Sequence, residues 1–340
     1  MLGKILLTAI NAIAPIVLMI LLGFCLRKKG FISKEFVKNG SKLVFHMCLP
    51  AMLFVNAFEI SGMDSISIEL LLFCLIVIFV IAGVGLGISV ASTKDPRRRG
   101  VIWQCGFRSN FAIIGLPLAA ALGGNEAIAV AAVVVTIAIP TFNILSVISM
   151  SVFVPQSDAN KLSIRGTVKG IITNPMTLSV LAGLLCVVIR WLQTLWFGRV
   201  VFAISDQLSF LYKTVDSVAT LCSPFALIIL GAQCEFSAVK GMFREITAGV
   251  LARLIIAPLL GIGGAMLLTK LGVLSCGPNE YPALVAVFGS PAAVSGAIMA
   301  TEMKNDGQLA TQLVMWTSII SVATIFLIVC FLMNLGLLQV

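Results

Sequence analysis

The sequence predicts an all-α polytopic membrane protein of ten transmembrane helices, arranged as two inverted five-helix repeats with helices 4 and 9 interrupted. Three observations carry this expectation. The chain of 340 residues is 59% hydrophobic and only 11% charged, with a mean hydropathy of +1.10, whereas charged residues make up roughly a quarter of a globular domain. Apolar runs of membrane-spanning length recur from end to end. Finally, the punctuation residues of the first half return in the second.

Taken in order, the apolar runs place spans at 5–26, 38–58, 66–92, 101–123, 126–153, 170–190, 205–232, 246–270, 281–303 and 308–336. The first run, from after Lys4 to Leu26, is too long for a signal peptide and lacks a small-residue cleavage site, so it counts as span 1. The polar stretch 154–169 divides the chain almost in half, into repeats 1–153 and 170–340 joined by a linker. Pro15 of span 1 corresponds to Pro175 of span 6. Pro50 and Pro224, like Pro117 and Pro291, are separated by 174 residues. Five spans per half is an odd number, so the second half must be inverted relative to the first. Secondary transporters with inverted repeats place their site near the bilayer midplane at such interruptions.

Basic residues fall unevenly. Arg27 to Lys42, Lys94 and Arg97 to Arg99, Lys161 to Lys169, Lys240, Arg244 and Lys304 cluster on one side, against Lys4, Arg190, Arg199 and Lys270 on the other. The positive-inside bias makes the first side cytoplasmic and places both termini outside a plasma membrane. The net charge of +9 is thus explained by topology and not by nucleic acid. Nine scattered cysteines without a CxxC pair read as small hydrophobes. No HExxH, GxSxG, paired aspartates or phosphate loop supports an enzyme or an ATP-driven pump, and no cofactor or metal is expected.

The chemistry concentrates in span 4. Arg108 lies about 10 residues into it, on the order of 15 Å deep, where an arginine costs at least ~2.5 kcal/mol unless it pairs or faces water. A structural role, paired with a carboxylate or with backbone carbonyls, stands beside a functional one as attractor of an anion. Ser109 and Asn110 follow it, and Asn110 offers two donors and an acceptor. Pro117 removes a donor and clashes with the carbonyl of Ile113, so the helix is expected to kink or unwind before it, with Gly115 easing the bend. An ordinary proline kink is the plainer reading. Span 9 repeats the pattern at Gly289, Ser290 and Pro291, with Ser295 nearby. Serines in such helices commonly bond their own backbone.

Other features invite plainer readings. His46, the one histidine, is a packing residue or a proton relay. Arg253, about two turns into span 8, is expected to snorkel to the cytoplasmic surface. Lys213 and Asp216 share a helix face and can pair. Glu302, Lys304 and Asp306 read as a solvated helix terminus.

NFAIIGLPL in span 4, the segments CLPAMLF and CSPFALIILGAQ, and FGSPAAVSGAIMATEMKNDGQLATQLVMWTSIIS together resemble the auxin efflux carrier family, over essentially the whole chain. The resemblance implies a scaffold of helices 1, 2, 6 and 7 and a mobile transport part of helices 3–5 and 8–10. It further implies that helices 4 and 9 cross at the substrate site, and that the protein is a homodimer through the scaffold. Asn110 takes the place of the carboxylate-engaging asparagine of plant members, and Pro117 and Pro291 the places of the crossover prolines. Arg108 and the short central loop depart from the plant pattern, which favours a smaller or more highly charged anion than auxin.

The function expected is therefore secondary transport of a small organic anion, a carboxylate, by alternating access across the lipid bilayer, with proton coupling possible. An anion channel and a ligand-binding membrane sensor are the alternatives. The topology is directly testable: a reporter fused after Val340 is expected to read out on the external face of intact cells, and a signal only after permeabilisation would reverse the assignment.

Overall fold

The computed structural model of the chain describes residues 14–15, 18–59, 68–153, 175–233, 239 and 241–338. The expected linker, the start of span 1 and Cys234 lie outside them. Among the described residues the fold is all-helical, without strands and with one isolated β-bridge.

Helix α1 occupies 18–28. It is followed by α2 (Lys34–Phe58) and α3 (Ile68–Ser92). Next come α4 (Pro96–Phe107) and α5 (Leu116–Val152), the latter reached through a π turn at Phe111–Gly115. The second half contains α6 (Pro175–Phe197), α7 (Ser209–Gln233) and α8 (Phe243–Lys270). It continues with α9 (Glu280–Leu284, extended by a π turn at Val285–Gly289), α10 (Val294–Glu302) and α11 (Gly307–Asn334). Helix thus occurs in all ten apolar runs, and among the described residues it is interrupted in spans 4 and 9, at 108–110 and 290–293. Among the described residues six stretches are long and apolar enough to cross a membrane: α2, α3, Glu126–Val152 of α5, Ser209–Ala232 of α7, α8 and α11.

Local chemistry accounts for several boundaries. Asp95 caps α4 by accepting from the Arg97 N–H at 2.9 Å, with Pro96 in the first turn. Ser33 caps α2 through Phe36 N at 3.0 Å, and Asp306 caps α11 through Leu309 N at 2.9 Å. These side chains satisfy N–H groups that a helix start leaves without partners. Within α5, Gly124 has φ +64° and ψ −152°, a conformation open to glycine at little cost. It bends the helix where the sequence separates spans 4 and 5.

The helices pack in two groups. In the first, α1 crosses α7 so closely that a Cβ on Gly23 would strike the Ile228 carbonyl, and one on Gly231 that of Ile20. Helix α6 lies on the second half of α2, and α7 also packs on α2. In the second group α3, α4 and α5 pack together, with Trp103 Nε1 donating to the Ala82 carbonyl at 2.7 Å. Helices α8 and α11 close over α4, while α9 lies on α5. The groups meet chiefly through α10, which touches α2 and α7. Leu72, Ile76, Phe79 and Val80 of α3 are exposed while Phe73, Val77 and Ile81 are buried, the one-sided pattern of a helix with an apolar solvent on its outer face.

At the basic end, Arg98 pairs with Glu245 at 2.9 Å and Asp306 at 3.0 Å, tying the starts of α4, α8 and α11 together. Asp306 is therefore a cap and an ion-pair partner, where the sequence suggested a solvated terminus. Lys213 and Asp216 form no ion pair among the described residues. The eight described cysteines are all free. His46 sits on the exposed side of α2, edge-on to Phe45.

Because Gly231 meets backbone and not a yielding side chain, Gly231→Val is expected to destabilise the fold by ~1–3 kcal/mol. A thermal midpoint in detergent equal to that of the wild type would contradict the close α1–α7 crossing.

Candidate functional site

Two interruptions come together in the second group of helices. After α4 ends at Phe107, Arg108 is extended (φ −83°, ψ 98°) and Asn110 is non-helical (φ −82°, ψ 50°). After α9, Ser290 (φ −66°, ψ 150°) and Ala293 (φ −70°, ψ 132°) are likewise extended. The two strips pair antiparallel at Ser109 and Ala292. Asn110 N donates to the Pro291 carbonyl at 2.8 Å, and Ala293 N to that of Arg108 at 3.1 Å. From α11, Thr317 Oγ1 accepts the Ala292 N–H at 3.2 Å. Each break thus supplies backbone partners that the other has lost, which is what buried polar groups require.

The prolines act differently from expectation. The break in span 4 is at 108–110, ahead of the position expected from Pro117, and Pro117 itself lies in continuing helix. A π turn at Phe111–Gly115 ends two residues before it. Gly115 keeps helical angles (φ −66°, ψ −47°). What it provides is proximity: a Cβ there would lie 2.7 Å from the Ala286 carbonyl oxygen. The same device recurs. The π turns Val44–Cys48, Ala252–Ile256 and Val285–Gly289 each end two residues before a proline, at Pro50, Pro258 and Pro291. A wider turn moves away the carbonyl that the proline ring would strike. Pro291 lies within its break and Pro117 does not, so the two are not equivalent in place.

Arg253 corrects a second expectation. It does not reach a surface: the side chain is 0% exposed. Its guanidinium donates to the carbonyls of Ser290 (2.8 Å), Val287 (3.0 Å), Phe288 (2.7 Å), Gly106 (3.3 Å) and Phe107 (3.2 Å). These are the last carbonyls of α4 and of the helix before Pro291, groups a helix end leaves without partners. The π turn at Ala252–Ile256, on which Arg253 sits, departs from ordinary helical register and aims the side chain into the fold.

On the other side of the paired strips is a cavity of about 50 Å³. Its walls are Arg108, Ser109, Asn110 and Phe111, the start of α10 with Ser295, Phe142 and Asn143 of α5, and facing residues of α2 and α7 that include Asn56 and Ser223. Arg108 is 5% exposed. It donates to Asn143 Oδ1 and Ser295 Oγ, both at 2.9 Å, and to Met299 Sδ at 2.8 Å. All three partners are neutral, and among the described residues no carboxylate lies within ion-pair distance of Arg108. The Ser109 hydroxyl and the amide nitrogens of Asn110 and Asn143 are buried without a hydrogen-bond partner. A buried unpaired donor costs ~1–3 kcal/mol, and three such donors sit on residues of this wall.

Of the residues singled out from sequence, Arg108, Ser109, Asn110 and Ser295 line this cavity. Pro291 contributes its carbonyl to the pairing, and the Ser290 hydroxyl turns back to Ala286 O at 2.6 Å. Gly289 ends the π turn before the break. Asn143, Met299 and Thr317 were not singled out, and Arg253 was singled out only as a snorkelling side chain. Asn143 was detectable, being an amide in the middle of an apolar span.

The Membrane transport protein family matches the chain over residues 8–329. The chain belongs to this family. It is the family of the auxin efflux carriers, a transporter family and not an enzymatic one, so the protein is a multi-pass membrane transporter. No curated protein matches the chain.

Thr317 Oγ1 accepts the Ala292 N–H from outside the two strips. Thr317→Val keeps the shape and removes the acceptor, and is expected to cost about 1–3 kcal/mol, read as a lowered thermal midpoint. An unchanged midpoint would show that Ala292 N has another partner.

Proposed function

We propose that this transporter carries a small organic anion, in the first instance a carboxylate, bound at the cavity beside the paired breaks. The observation that carries the reading is Arg108, buried with neutral partners only. A buried cation is costly unless an opposite charge or a full set of hydrogen bonds meets it. The unpaired donors of Ser109, Asn110 and Asn143 add hydrogen bonds that a carboxylate, an acceptor through both oxygens, can take. The helix starts at Phe111 and Val294 lie on the same wall, and helix N-termini favour anions. A volume of about 50 Å³ holds a few water-sized groups, which favours a small acid over a bulky aromatic one.

In this reading the ten helices are two inverted five-helix repeats. The group of α1, α2, α6 and α7 is a scaffold, and the other group carries the paired breaks past it in alternating access. The sparse contact through α10 supports such a division. Helices 4 and 9 of the expected plan correspond to α4 with the start of α5, and to α9 with α10. The basic end faces the cytoplasm of a plasma-membrane protein whose termini are outside. A homodimer forms through the scaffold, where α6 leaves Leu181, Leu185 and Val188 exposed. Coupling to protons is compatible with this plan, and His46 has no place in the cavity wall.

Saturable counterflow of mono- and dicarboxylates in proteoliposomes tests the proposal. Arg108→Gln is expected to lower kcat/KM by about 10- to 100-fold, the equivalent of ~1.5–3 kcal/mol for a charged hydrogen bond. Arg108→Lys keeps the charge and loses the planar fork, so it falls between, and Asn110→Ala weakens affinity. Wild-type rates in Arg108→Gln, or flux without counterflow for every acid, would sink the reading.

A further inference from the structure

We infer that Arg253 is a tethered cation in a backbone site that a small monovalent cation would otherwise have to fill. Five carbonyls converge on one guanidinium, from Gly106 and Phe107 on one side and Val287, Phe288 and Ser290 on the other, at 2.7–3.3 Å. Both contributing segments are C-terminal helix ends, which carry partial negative charge. Pro291 has no N–H to give the Val287 carbonyl four residues before it, so that oxygen has lost its ordinary helical donor.

Rings of backbone carbonyls are the chemistry that replaces the hydration shell of alkali cations. Unwound carbonyls and half-helix C-termini are where membrane transporters coordinate such ions. Here the same donor set is occupied by a side chain from α8 with five N–H groups, the full donor capacity of an arginine. It is fully buried and cannot leave. The cage contains no carboxylate among the described residues, so it carries only partial negative charge and suits a single positive charge. Arg253 is therefore a positioning residue: it holds the ends of both broken helices, and through them Arg108 and Ala292. The protein accordingly keeps its paired breaks without a dissolved metal ion. This inference does not depend on which ligand the cavity binds.

The test is thermal unfolding of the purified full chain in detergent. Wild type, Arg253→Ala and Arg253→Lys are compared in choline chloride, sodium chloride, potassium chloride and millimolar guanidinium chloride at matched ionic strength. The wild-type midpoint is expected to be the same in all four. Arg253→Ala is expected to unfold well below it in choline and to regain about 3 °C or more with sodium, potassium or guanidinium, as binding to a native-state site requires. Arg253→Lys, with three donors for five acceptors, should lie between the two in choline. The inference is overturned by a wild type that needs sodium or potassium, or by an alanine variant as stable as the wild type. It is equally overturned by an alanine variant equally unstable, or unrecoverable, in every salt, and by a lysine variant no better than alanine. No flux is measured, so a negative result here leaves the anion reading standing, and the reverse holds.

Discussion

Two helices that end inside a protein leave carbonyls that must find donors, and the architecture around 106–110 and 287–293 depends on how this is solved. Arg253 accepts that task for both ends at once. The strips beyond those ends then satisfy each other as an antiparallel bridge. With the negative ends gathered on Arg253, the helix starts at Phe111 and Val294 line the cavity together with Arg108. Positive potential from helix ends and from a guanidinium therefore accumulates on one wall, where no described residue contributes a carboxylate. Two buried arginines serve opposite purposes: one is saturated by backbone, the other is only partly satisfied.

At four positions the helix widens just ahead of a proline. A π turn ends two residues before each of Pro50, Pro117, Pro258 and Pro291. At Ala252–Ile256 this widening sets the direction of Arg253. At Phe111–Gly115 and Val285–Gly289 it brings two irregular turns against each other, close enough that Gly115 has no room for a side chain. The elements that look like defects in the helices are where the functional geometry is fixed.

Much of this was legible in the sequence. Apolar run length places the helices because lipid demands continuous helix of a fixed length, and the division between spans 4 and 5 falls at Gly124. Arg108 and Asn110 were identifiable because polar groups at that depth must have a purpose. The position of the break was not. Steric reasoning about Pro117 is local, and the helix continues through it, while the actual interruption is stabilised by a partner strip from nearly two hundred residues away. Arg253 was misplaced for a related reason: depth along a helix gives the distance to the surface, but not that five carbonyls from two other helices wait nearer. The proline spacing pointed to the right two regions but did not align them, since only Pro291 lies in its break.

The neutral surroundings of Arg108 have an electrical consequence. On the proposed reading, the part that moves past the scaffold carries both buried arginines, Arg108 and Arg253, so its interior holds two positive charges when the cavity is empty, one with a monovalent anion and none with a divalent anion. A transmembrane voltage acts on net charge at ~2.3 kcal/mol per elementary charge per 100 mV. With a divalent anion, voltage would thus bear on the return of the empty protein and leave the buried charge of the loaded step balanced; with a monovalent anion it would bear on both steps, less strongly on the loaded one. The valence of the bound ion, set against two arginines, decides how the electrical work divides between the halves of the cycle.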